Sequence, residues 1–216
     1  MSTWLQRTQD ELEQILTLAP VIAIATLERV EDAVPLARAL VAGGIPAIEV
    51  TLRTPAGIDA VEAIARDVDG ARVGAGTVLN AEDLRAAERA GARFAVSPGA
   101  SPALWHAAEH SALPFLIGSA SASEAMTFFE RGFRLQKFFP AEPAGGVEYL
   151  RALNGPLPKI RFCPTGGVRV GNAADYLALP NVVCVGGSWL APNDLIRAGK
   201  WEQITALARD AAKLRK

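Results

Sequence analysis

The sequence is poor in cysteine and histidine and has no excess of charge of either sign. Only two cysteines and two histidines occur among 216 residues. Cys163 and Cys184 each lie in an apolar, strand-like run, so we expect buried thiols that behave as small hydrophobic residues, and a disulfide is disfavoured. The 22 basic and 23 acidic side chains give a formal net charge of −1. This balance offers no basic surface for nucleic acid or for a membrane, and the expected partner is a small molecule.

Long apolar runs are also absent. No stretch approaches the roughly eighteen apolar residues of a membrane-spanning helix. Asp10, Glu11 and Glu13 stand where a signal peptide would need its apolar segment, so a soluble cytoplasmic protein is expected. Half of the residues, 50%, are nevertheless hydrophobic, which is enough for a sizeable core.

Short apolar runs recur along the chain and alternate with alanine-rich segments of helical periodicity, such as 32–42 and 81–90. The step of roughly 20 to 26 residues between runs is typical of parallel βα units. Eight units without a linker favour an α/β fold in which residues 1–216 form one (β/α)8 TIM barrel, with an open doubly wound sheet as the alternative. The predicted strands are about 21–25, 46–51, 72–76, 93–96, 114–117, 134–139, 160–163 and 182–186.

The boundaries of the helices are signalled locally. Residues 1–19 have the pattern of an amphipathic helix that could cover the bottom of the barrel, and 201–214 are expected to form a final helix. A capping residue followed by proline, or by glutamate three positions later, predicts a helix start, and a glycine just before the next strand predicts a helix end. The predicted starts are at Thr54-Pro55, Ser101-Pro102 and Ser121 with Glu124, and the predicted ends are at Gly43-Gly44, Gly70, Gly91 and Gly132.

Lys137 lies in the strand-like run 134–139 and is followed directly by Phe138, Phe139 and Pro140. Burial beside the two aromatic rings would disfavour a charged ammonium group. A neutral lysine amine is a nucleophile for carbonyl carbons, so Schiff-base chemistry is the leading hypothesis for this chain.

Polar side chains also follow the second and third predicted strands. Because side chains alternate along a strand, Glu49, Thr51 and Arg53 are expected to point together at the carboxyl end of the second strand, where barrel enzymes carry catalytic groups. Thr77 offers a hydroxyl at the end of the third strand. Both histidines fall on a predicted outer helix, so acid–base work is assigned to Glu49. A surface ion pair between Glu49 and Arg53 is the alternative.

Two late glycine-rich loops, 164–167 and 186–188, follow the seventh and eighth predicted strands. Barrel enzymes often bind phosphate in this pair of loops through backbone N–H groups, so a phosphate site is predicted, with simple turns as the alternative. The glycines of 74–77 lack the third glycine of a dinucleotide fingerprint, and no Walker sequence is present. Nucleotide binding is therefore not indicated.

His106, Glu109 and His110 match the H-x-x-E-H spacing of a zinc hydrolase. This segment falls in the fourth barrel helix, on the outside of the barrel and away from the strand ends, and no third ligand is indicated. A solvated helix face is the favoured interpretation. We expect neither a metal nor another cofactor.

Six motifs occur in an order that is typical of one enzyme family: EVTLR at 49–53, GAGT at 74–77, SPG at 97–99, KFFPAE at 137–142, FCPTGG at 162–167 and GGSW at 186–189. In these motifs the chain closely resembles the 2-keto-3-deoxy-6-phosphogluconate (KDPG) aldolases, bifunctional enzymes that also act on 4-hydroxy-2-oxoglutarate (KHG). The resemblance implies a class I aldolase on a trimeric (β/α)8 barrel. One departure is the exit of the fifth strand, Ile117-Gly-Ser-Ala-Ser121, where the family usually has proline before the glycine. We expect this loop to alter the specificity of the pocket.

The resemblance also implies a role for each motif. Lys137 forms the Schiff base and Glu49 shuttles protons, while Arg53 and Thr77 hold the substrate carboxylate. The remaining implied site residues are Gly166, Gly167, Gly186 and Ser188, which contact the phosphate, and Pro98, Phe139 and Thr165, which line the site.

The implied reaction is cleavage of KDPG to pyruvate and glyceraldehyde 3-phosphate, a step of the Entner–Doudoroff pathway, together with cleavage of KHG to pyruvate and glyoxylate. A 2-keto-3-deoxy-6-phosphogalactonate aldolase is the alternative within the same chemistry. A phosphosugar isomerase or epimerase would use Glu49 as the base and Lys137 only as an electrostatic partner. Two further hypotheses are a metal-dependent enzyme built on the histidines and a non-catalytic phosphate-binding barrel.

Overall fold

Strands and helices alternate along the chain, as the spacing of the apolar runs predicts. The computed structural model describes residues 3–214. Its strands are β1 (Val21–Ala25), β2 (Ala47–Thr51), β3 (Arg72–Gly76), β4 (Phe94–Val96), β5 (Phe115–Ser119), β6 (Leu135–Phe138), β7 (Arg161–Pro164) and β8 (Val185–Gly187).

The strands form one parallel sheet that is nearly closed. Each strand from β1 to β6 pairs in parallel with the next, and β1 also pairs with β8. Bridges from Phe162 to Val182 and from Thr165 to Gly186 join β7 to the segment around β8. The predicted (β/α)8 barrel is therefore confirmed, and the open sheet is wrong because neither end of the strand order is left unpaired.

The helices surround the barrel. Short 3-10 turns precede the second helix at Val30–Asp32 and follow β8 at Ser188–Leu190. The helices are α1 (Thr3–Leu16), α2 (Ala33–Ala42), α3 (Gly57–Asp67), α4 (Ala81–Arg89), α5 (Pro102–His110), α6 (Ala122–Glu130), α7 (Gly146–Asn154), α8 (Val170–Leu177), α9 (Asn193–Arg197) and α10 (Trp201–Ala211).

Two of the three predicted helix starts are confirmed. Ser101 accepts a hydrogen bond from the backbone N–H of Leu104, and Ser121 forms the expected capping box with Glu124. The start at Thr54 is wrong, because α3 begins at Gly57. The Thr54 hydroxyl instead donates to the carbonyl of Leu27, which follows the neighbouring strand β1. The predicted glycine ends are confirmed by positive φ angles at Gly44, Gly70, Gly91 and Gly132.

The alternation of side chains along the strands creates two apolar cores. Residues that face outward pack against the helices, as Ala23 and Val50 do. Residues that face inward fill the lower half of the barrel interior and contact α1. The inner core consists of Leu12, Ile15 and Leu16 of α1 together with Ile22, Ala47, Phe94, Val96, Leu116, Leu135, Cys163, Val183 and Cys184.

Helix α1 covers the amino ends of the strands. Leu12 and Leu16 are fully buried in the inner core, and burial of such side chains is worth about 1.5 to 3 kcal/mol each. The amide of Gln9, also fully buried, donates to the carbonyl of Phe115 and accepts from the backbone N–H of Leu135, at 3.2 and 3.0 Å. The Gln9 amide thus satisfies a backbone carbonyl of β5 and a backbone N–H of β6 at the amino ends of these strands.

The two thiols lie in the same inner core. Cys163 and Cys184 are buried and are not joined in a disulfide, with their sulfur atoms 3.6 Å apart. Within residues 3–214, no helix combines the length and the apolar character needed to cross a bilayer.

Candidate active site

A buried ion pair inside the barrel joins Lys137 of β6 to Glu49 of β2. The Nζ atom of Lys137 lies 3.2 Å from Oε1 of Glu49, and both residues are only 3% exposed. Alternation along the strands turns both side chains inward, because their neighbours Phe138, Ile48 and Val50 belong to the outer core. Two residues 88 positions apart in the sequence thus meet inside the barrel.

Glycines make room for this pair. A Cβ atom at Gly76 would lie 2.2 Å from Oε1 of Glu49, and one at Gly74 would lie 2.6 Å from the ring of Phe94. Since real Cβ contacts are never this short, any larger residue at Gly76 would displace the carboxylate. The GAGT motif therefore provides the space in which Glu49 reaches Lys137.

Only one of the two phenylalanines after Lys137 faces its amine. The Nζ atom lies 5.3 Å from the centroid of the Phe139 ring. Phe138 faces outward, where its ring stacks on Tyr149 with centroids 5.4 Å apart. The expectation that both rings flank the lysine is wrong for Phe138, because consecutive residues of a strand point to opposite faces.

The environment of the pair is suited to proton transfer. A lone ammonium group would be costly to bury, and the carboxylate of Glu49 offsets that cost. The same carboxylate is within hydrogen-bond distance of the ammonium group and can accept its proton, which leaves a neutral, nucleophilic amine.

Arg53 and Thr77 meet at the carboxyl ends of β2 and β3. Nε of Arg53 donates to Oγ1 of Thr77 at 3.1 Å, so the terminal NH2 groups of the guanidinium remain for another acceptor. Across residues 3–214 Arg53 forms no ion pair with a protein carboxylate. Thr77 has a φ of 61°, and a β-branched residue is strained in this left-handed region. Such strain is typical of functional sites, and a planar guanidinium suits a carboxylate.

The three polar residues of the EVTLR motif have three different partners. Glu49 contacts Lys137 and Arg53 contacts Thr77, whereas the fully buried Thr51 lies 2.9 Å, oxygen to oxygen, from Thr26. The expectation that all three point together stays a prediction for Arg53, because Arg53 lies beyond the end of β2 at Thr51. Thr26 was not predicted, although a polar residue directly after the apolar run 21–25 could have indicated it.

The two late glycine loops lie side by side at the same end of the barrel. Thr165 bridges to Gly186, and a Cβ atom at Gly186 would lie 2.3 Å from Oγ1 of Thr165. Gly166 and Gly167 have φ angles of 95° and 83°, which place them in the region that favours glycine. The tertiary structure thus brings both predicted phosphate loops together, with Ser188 exposed beside them.

Glu142 and Tyr176 brace one of these loops, and neither was predicted to do so. The backbone N–H of Glu142 donates to the carbonyl of Gly166 at 3.0 Å, and a Cβ atom at Gly167 would lie 2.5 Å from Cγ of Glu142. The Tyr176 hydroxyl donates to Oε1 of Glu142. Burial, together with this hydrogen bond, raises the pKa of Tyr176 well above its usual value. The phenol therefore stays protonated and keeps donating throughout the neutral range.

At the fifth-strand exit, Gly118 lies against a residue that lines the site. A Cβ atom at Gly118 would lie 2.4 Å from the carbonyl oxygen of Pro98, which follows β4. Ile117 belongs to the outer core, and the Ser119 hydroxyl donates to Gln136 at 2.9 Å. The unusual side chain at position 117 thus faces the helices and not the mouth of the barrel.

The histidine motif lies on α5. Glu109 binds Arg131 at 2.9 Å and also contacts Nδ1 of His106 at 3.2 Å. Nδ1 of His110 lies 2.8 Å from the carbonyl oxygen of His106. In the part of the chain that the structure describes, no group of three or more His, Cys, Asp or Glu side chains is placed to hold a metal ion.

Comparison with known proteins gives consistent matches over most of the chain. A model of the aldolase family described as KDPG and KHG aldolase matches residues 12–207. The KHG/KDPG aldolase of Escherichia coli is 49% identical over 201 residues, which cover 93% of this chain and 94% of that protein. The 2-dehydro-3-deoxy-phosphogluconate aldolase of Dickeya dadantii is 50% identical, over 92% of this chain and 93% of that protein.

The fold has close counterparts among solved structures. A KDPG aldolase from Legionella pneumophila, solved with pyruvate captured at low pH as a covalent carbinolamine intermediate, superposes with a TM-score of 0.91. It is 43% identical in sequence, and the match covers 93% of this chain and 98% of that one.

Proposed function

The chain belongs to the KDPG and KHG aldolase family, and we propose that its Schiff base forms on Lys137. The chain is a carbon–carbon lyase that releases pyruvate from a phosphorylated 2-keto acid, KDPG, and also from KHG. The observation that carries the assignment of the nucleophile is the buried contact of 3.2 Å between Nζ of Lys137 and Oε1 of Glu49. A lysine in this setting has a proton acceptor at hand and solvent largely excluded.

The first half of the reaction makes the imine. Glu49 takes a proton from Lys137, and the free amine attacks the C2 carbonyl of the 2-keto acid to give a carbinolamine. Glu49 returns the proton to the C2 hydroxyl, water leaves, and a protonated imine remains. A carbinolamine is the species captured with pyruvate in the Legionella pneumophila relative.

The second half breaks the bond between C3 and C4. Glu49 removes the proton of the C4 hydroxyl, the aldehyde leaves, and the bonding electrons move into the imine to form an enamine. Protonation at C3 and hydrolysis then release pyruvate and restore Lys137. The aldehyde is glyceraldehyde 3-phosphate from KDPG and glyoxylate from KHG.

The substrate ends are held at two separate places. The terminal groups of Arg53, oriented by Thr77, bind the carboxylate next to the reacting carbonyl. The backbone N–H groups of the two glycine loops and the Ser188 hydroxyl bind the phosphate. The proposed phosphate ligands are Gly166, Gly167, Gly186 and Ser188, and the residues that line the site are Pro98, Phe139 and Thr165.

We also propose that residues 1–216 act as one domain in a cytoplasmic homotrimer. Exposed apolar side chains at Leu79 and Val170, 57% and 62% exposed, support burial against another copy. Sedimentation equilibrium should give three times the chain mass of 22.8 kDa. A mass equal to one chain would contradict the trimer.

Reductive trapping tests the chemistry. Borohydride added with pyruvate should attach pyruvate covalently to one lysine, which peptide mass spectrometry should identify as Lys137. Lys137→Ala should abolish the adduct, while Lys159→Ala, at an exposed lysine, should leave it unchanged. An enzyme that turns over phosphosugars without any adduct would instead support the isomerase.

A further inference from the structure

Two threonine hydroxyls lie at the carboxyl ends of β1 and β2, and the aldolase chemistry above leaves them without a role. Oγ1 of Thr26 and Oγ1 of Thr51 are 2.9 Å apart. Thr51 is fully buried, whereas Thr26 is partly exposed. The pair thus has one inner member and one that a ligand can reach.

Both side chains face into the barrel. Thr26 directly follows β1, in which Ala23 and Ala25 belong to the outer core, and its hydrogen bond to Thr51 holds it on the inward side. In β2, Thr51 follows Glu49 by two positions and shares its direction. The hydroxyl pair therefore lies at the barrel mouth, on the same side of the sheet as the ion pair.

The burial of Thr51 favours one direction for this hydrogen bond. Within residues 3–214, the hydroxyl of Thr51 has Thr26 as its hydrogen-bond partner and is not left unsatisfied. A buried hydroxyl that keeps its proton unpaired is destabilised, so the arrangement in which Thr51 donates and Oγ1 of Thr26 accepts is the favoured one. The proton of Thr26 is then free for an oxygen atom of a ligand.

The strand order places this free donor between the two ends of the proposed substrate. Strand β1 lies between β2, which leads to Arg53, and β8, which leads to Ser188. The Cδ1 atom of Ile24 would lie 2.9 Å from a Cβ atom at Gly186, so the upper part of β1 adjoins the phosphate loop. The end of β1 therefore lies between the proposed carboxylate site and the loop that follows β8.

We propose that Thr26 is a specificity-determining residue that binds the C5 hydroxyl of the phosphorylated 2-keto acid, and that Thr51 positions the Thr26 hydroxyl. This inference rests on the proposed aldolase function. Cleavage turns the C5 hydroxyl into the hydroxyl at carbon 2 of glyceraldehyde 3-phosphate. Thr26 therefore selects the aldehyde half of the substrate and does not act on the pyruvate half.

Synthesis from pyruvate and two matched aldehydes tests this assignment. One aldehyde is glyceraldehyde 3-phosphate, and the other is 3-phosphooxypropanal, which has the same chain without the hydroxyl at carbon 2. Thr26→Val should lower kcat/KM about five- to tenfold for the first aldehyde and leave the second within about twofold. Thr51→Val should lower the ratio of the two kcat/KM values, that for glyceraldehyde 3-phosphate over that for 3-phosphooxypropanal, as Thr26→Val does. Thr26→Ser keeps a hydroxyl and should have the ratio of the wild type. Thr127→Val, at an exposed threonine of α6, should change neither value.

Two further results separate failure of the inference from failure of the function. The wild-type enzyme must itself prefer glyceraldehyde 3-phosphate over 3-phosphooxypropanal severalfold, and equal use of both overturns the role of Thr26 without any variant. If Thr26→Val lowers kcat/KM equally for both aldehydes while pyruvate trapping is intact, the hydrogen bond between Thr26 and Thr51 only links β1 to β2. That result overturns the role of Thr26 in specificity. Loss of pyruvate trapping in the wild type would overturn the aldolase function itself.

Discussion

The two ends of the barrel interior are built from the same strands but differ in chemistry. At the amino ends, large apolar side chains such as Phe94 and Leu135 fill the interior, and α1 closes it with Leu12 and Leu16. At the carboxyl ends, glycines leave space around the ion pair of Lys137 and Glu49. Inward side chains at the amino end of the barrel therefore stabilise it, whereas Lys137 and Glu49 at the carboxyl end carry the chemistry.

The largest predicted effect comes from removing the amine at the carboxyl end. Lys137→Met keeps most of the side-chain volume but removes the nucleophile, so kcat/KM for KDPG should fall about 10⁴-fold or more. The variant should remain folded, because α1 and the inner core are unchanged, and circular dichroism should show this. Activity within tenfold of the wild type would mean that the carboxyl end does not carry the chemistry through this amine.

Shortening an apolar side chain at the amino end of the barrel should lower stability and leave activity nearly unchanged. Leu12→Ala leaves a cavity beneath the barrel and should lower the free energy of unfolding by about 2 to 5 kcal/mol. Its kcat/KM at a temperature where it is folded should stay within about twofold of the wild type. Leu18→Ala is the matched control, since Leu18 is 49% exposed and should cost less than about 0.5 kcal/mol. A Leu12→Ala variant of normal stability but low activity would reverse the assignment of the two ends.

A small change at the carboxyl end should separate activity from stability. Gly76→Ala places a methyl group where Oε1 of Glu49 now lies, and displacement of this carboxylate by about 1 Å should lower kcat about 100-fold. Gly99→Ala is the control, because a Cβ atom there meets nothing within 4 Å. Steady-state kinetics of both variants checks the prediction. Similar losses in the two would show that the position of Glu49 is not the cause.

The smallest effect is expected at the brace of the phosphate loop. Tyr176→Phe removes the hydrogen bond to Glu142 and should raise KM for KDPG about three- to tenfold, with little change for KHG, which has no phosphate. Tyr149→Phe is the control, because the Tyr149 hydroxyl accepts from the backbone N–H of Ala122, whereas the hydroxyl that donates to Glu142 is that of Tyr176. An equal rise in KM for both substrates would place the effect outside the phosphate site.

Local patterns predicted most of the fold, because each strand and helix carries its own apolar period and end signals. Ser121 and Glu124 cap α6 as expected since both partners lie within one helical turn. Thr54 failed as a cap because its hydroxyl is taken by Leu27, 27 residues earlier. A capping pattern read from neighbouring residues does not include an acceptor so distant in the sequence.

Parts of the site escaped prediction for the same reason. Thr26 has its partner 25 residues away, and Glu142 has its partner 34 residues away. Lys137, Glu49, Arg53 and Thr77 could be selected because each is a reactive or polar residue at a predicted strand end. The sequence could not predict that Lys137 pairs with Glu49 while Arg53 contacts Thr77.

The sequence by itself determined the number of βα units, the end of the barrel at which polar residues collect, and Lys137 as the candidate nucleophile. These depend on periodicity and on the chemistry of single residues. Only the tertiary structure decided that Glu49 meets Lys137, that Phe138 turns away, and that Thr51 pairs with Thr26. Closing the barrel sets those contacts, because strand register and side-chain alternation decide which distant residues share the interior.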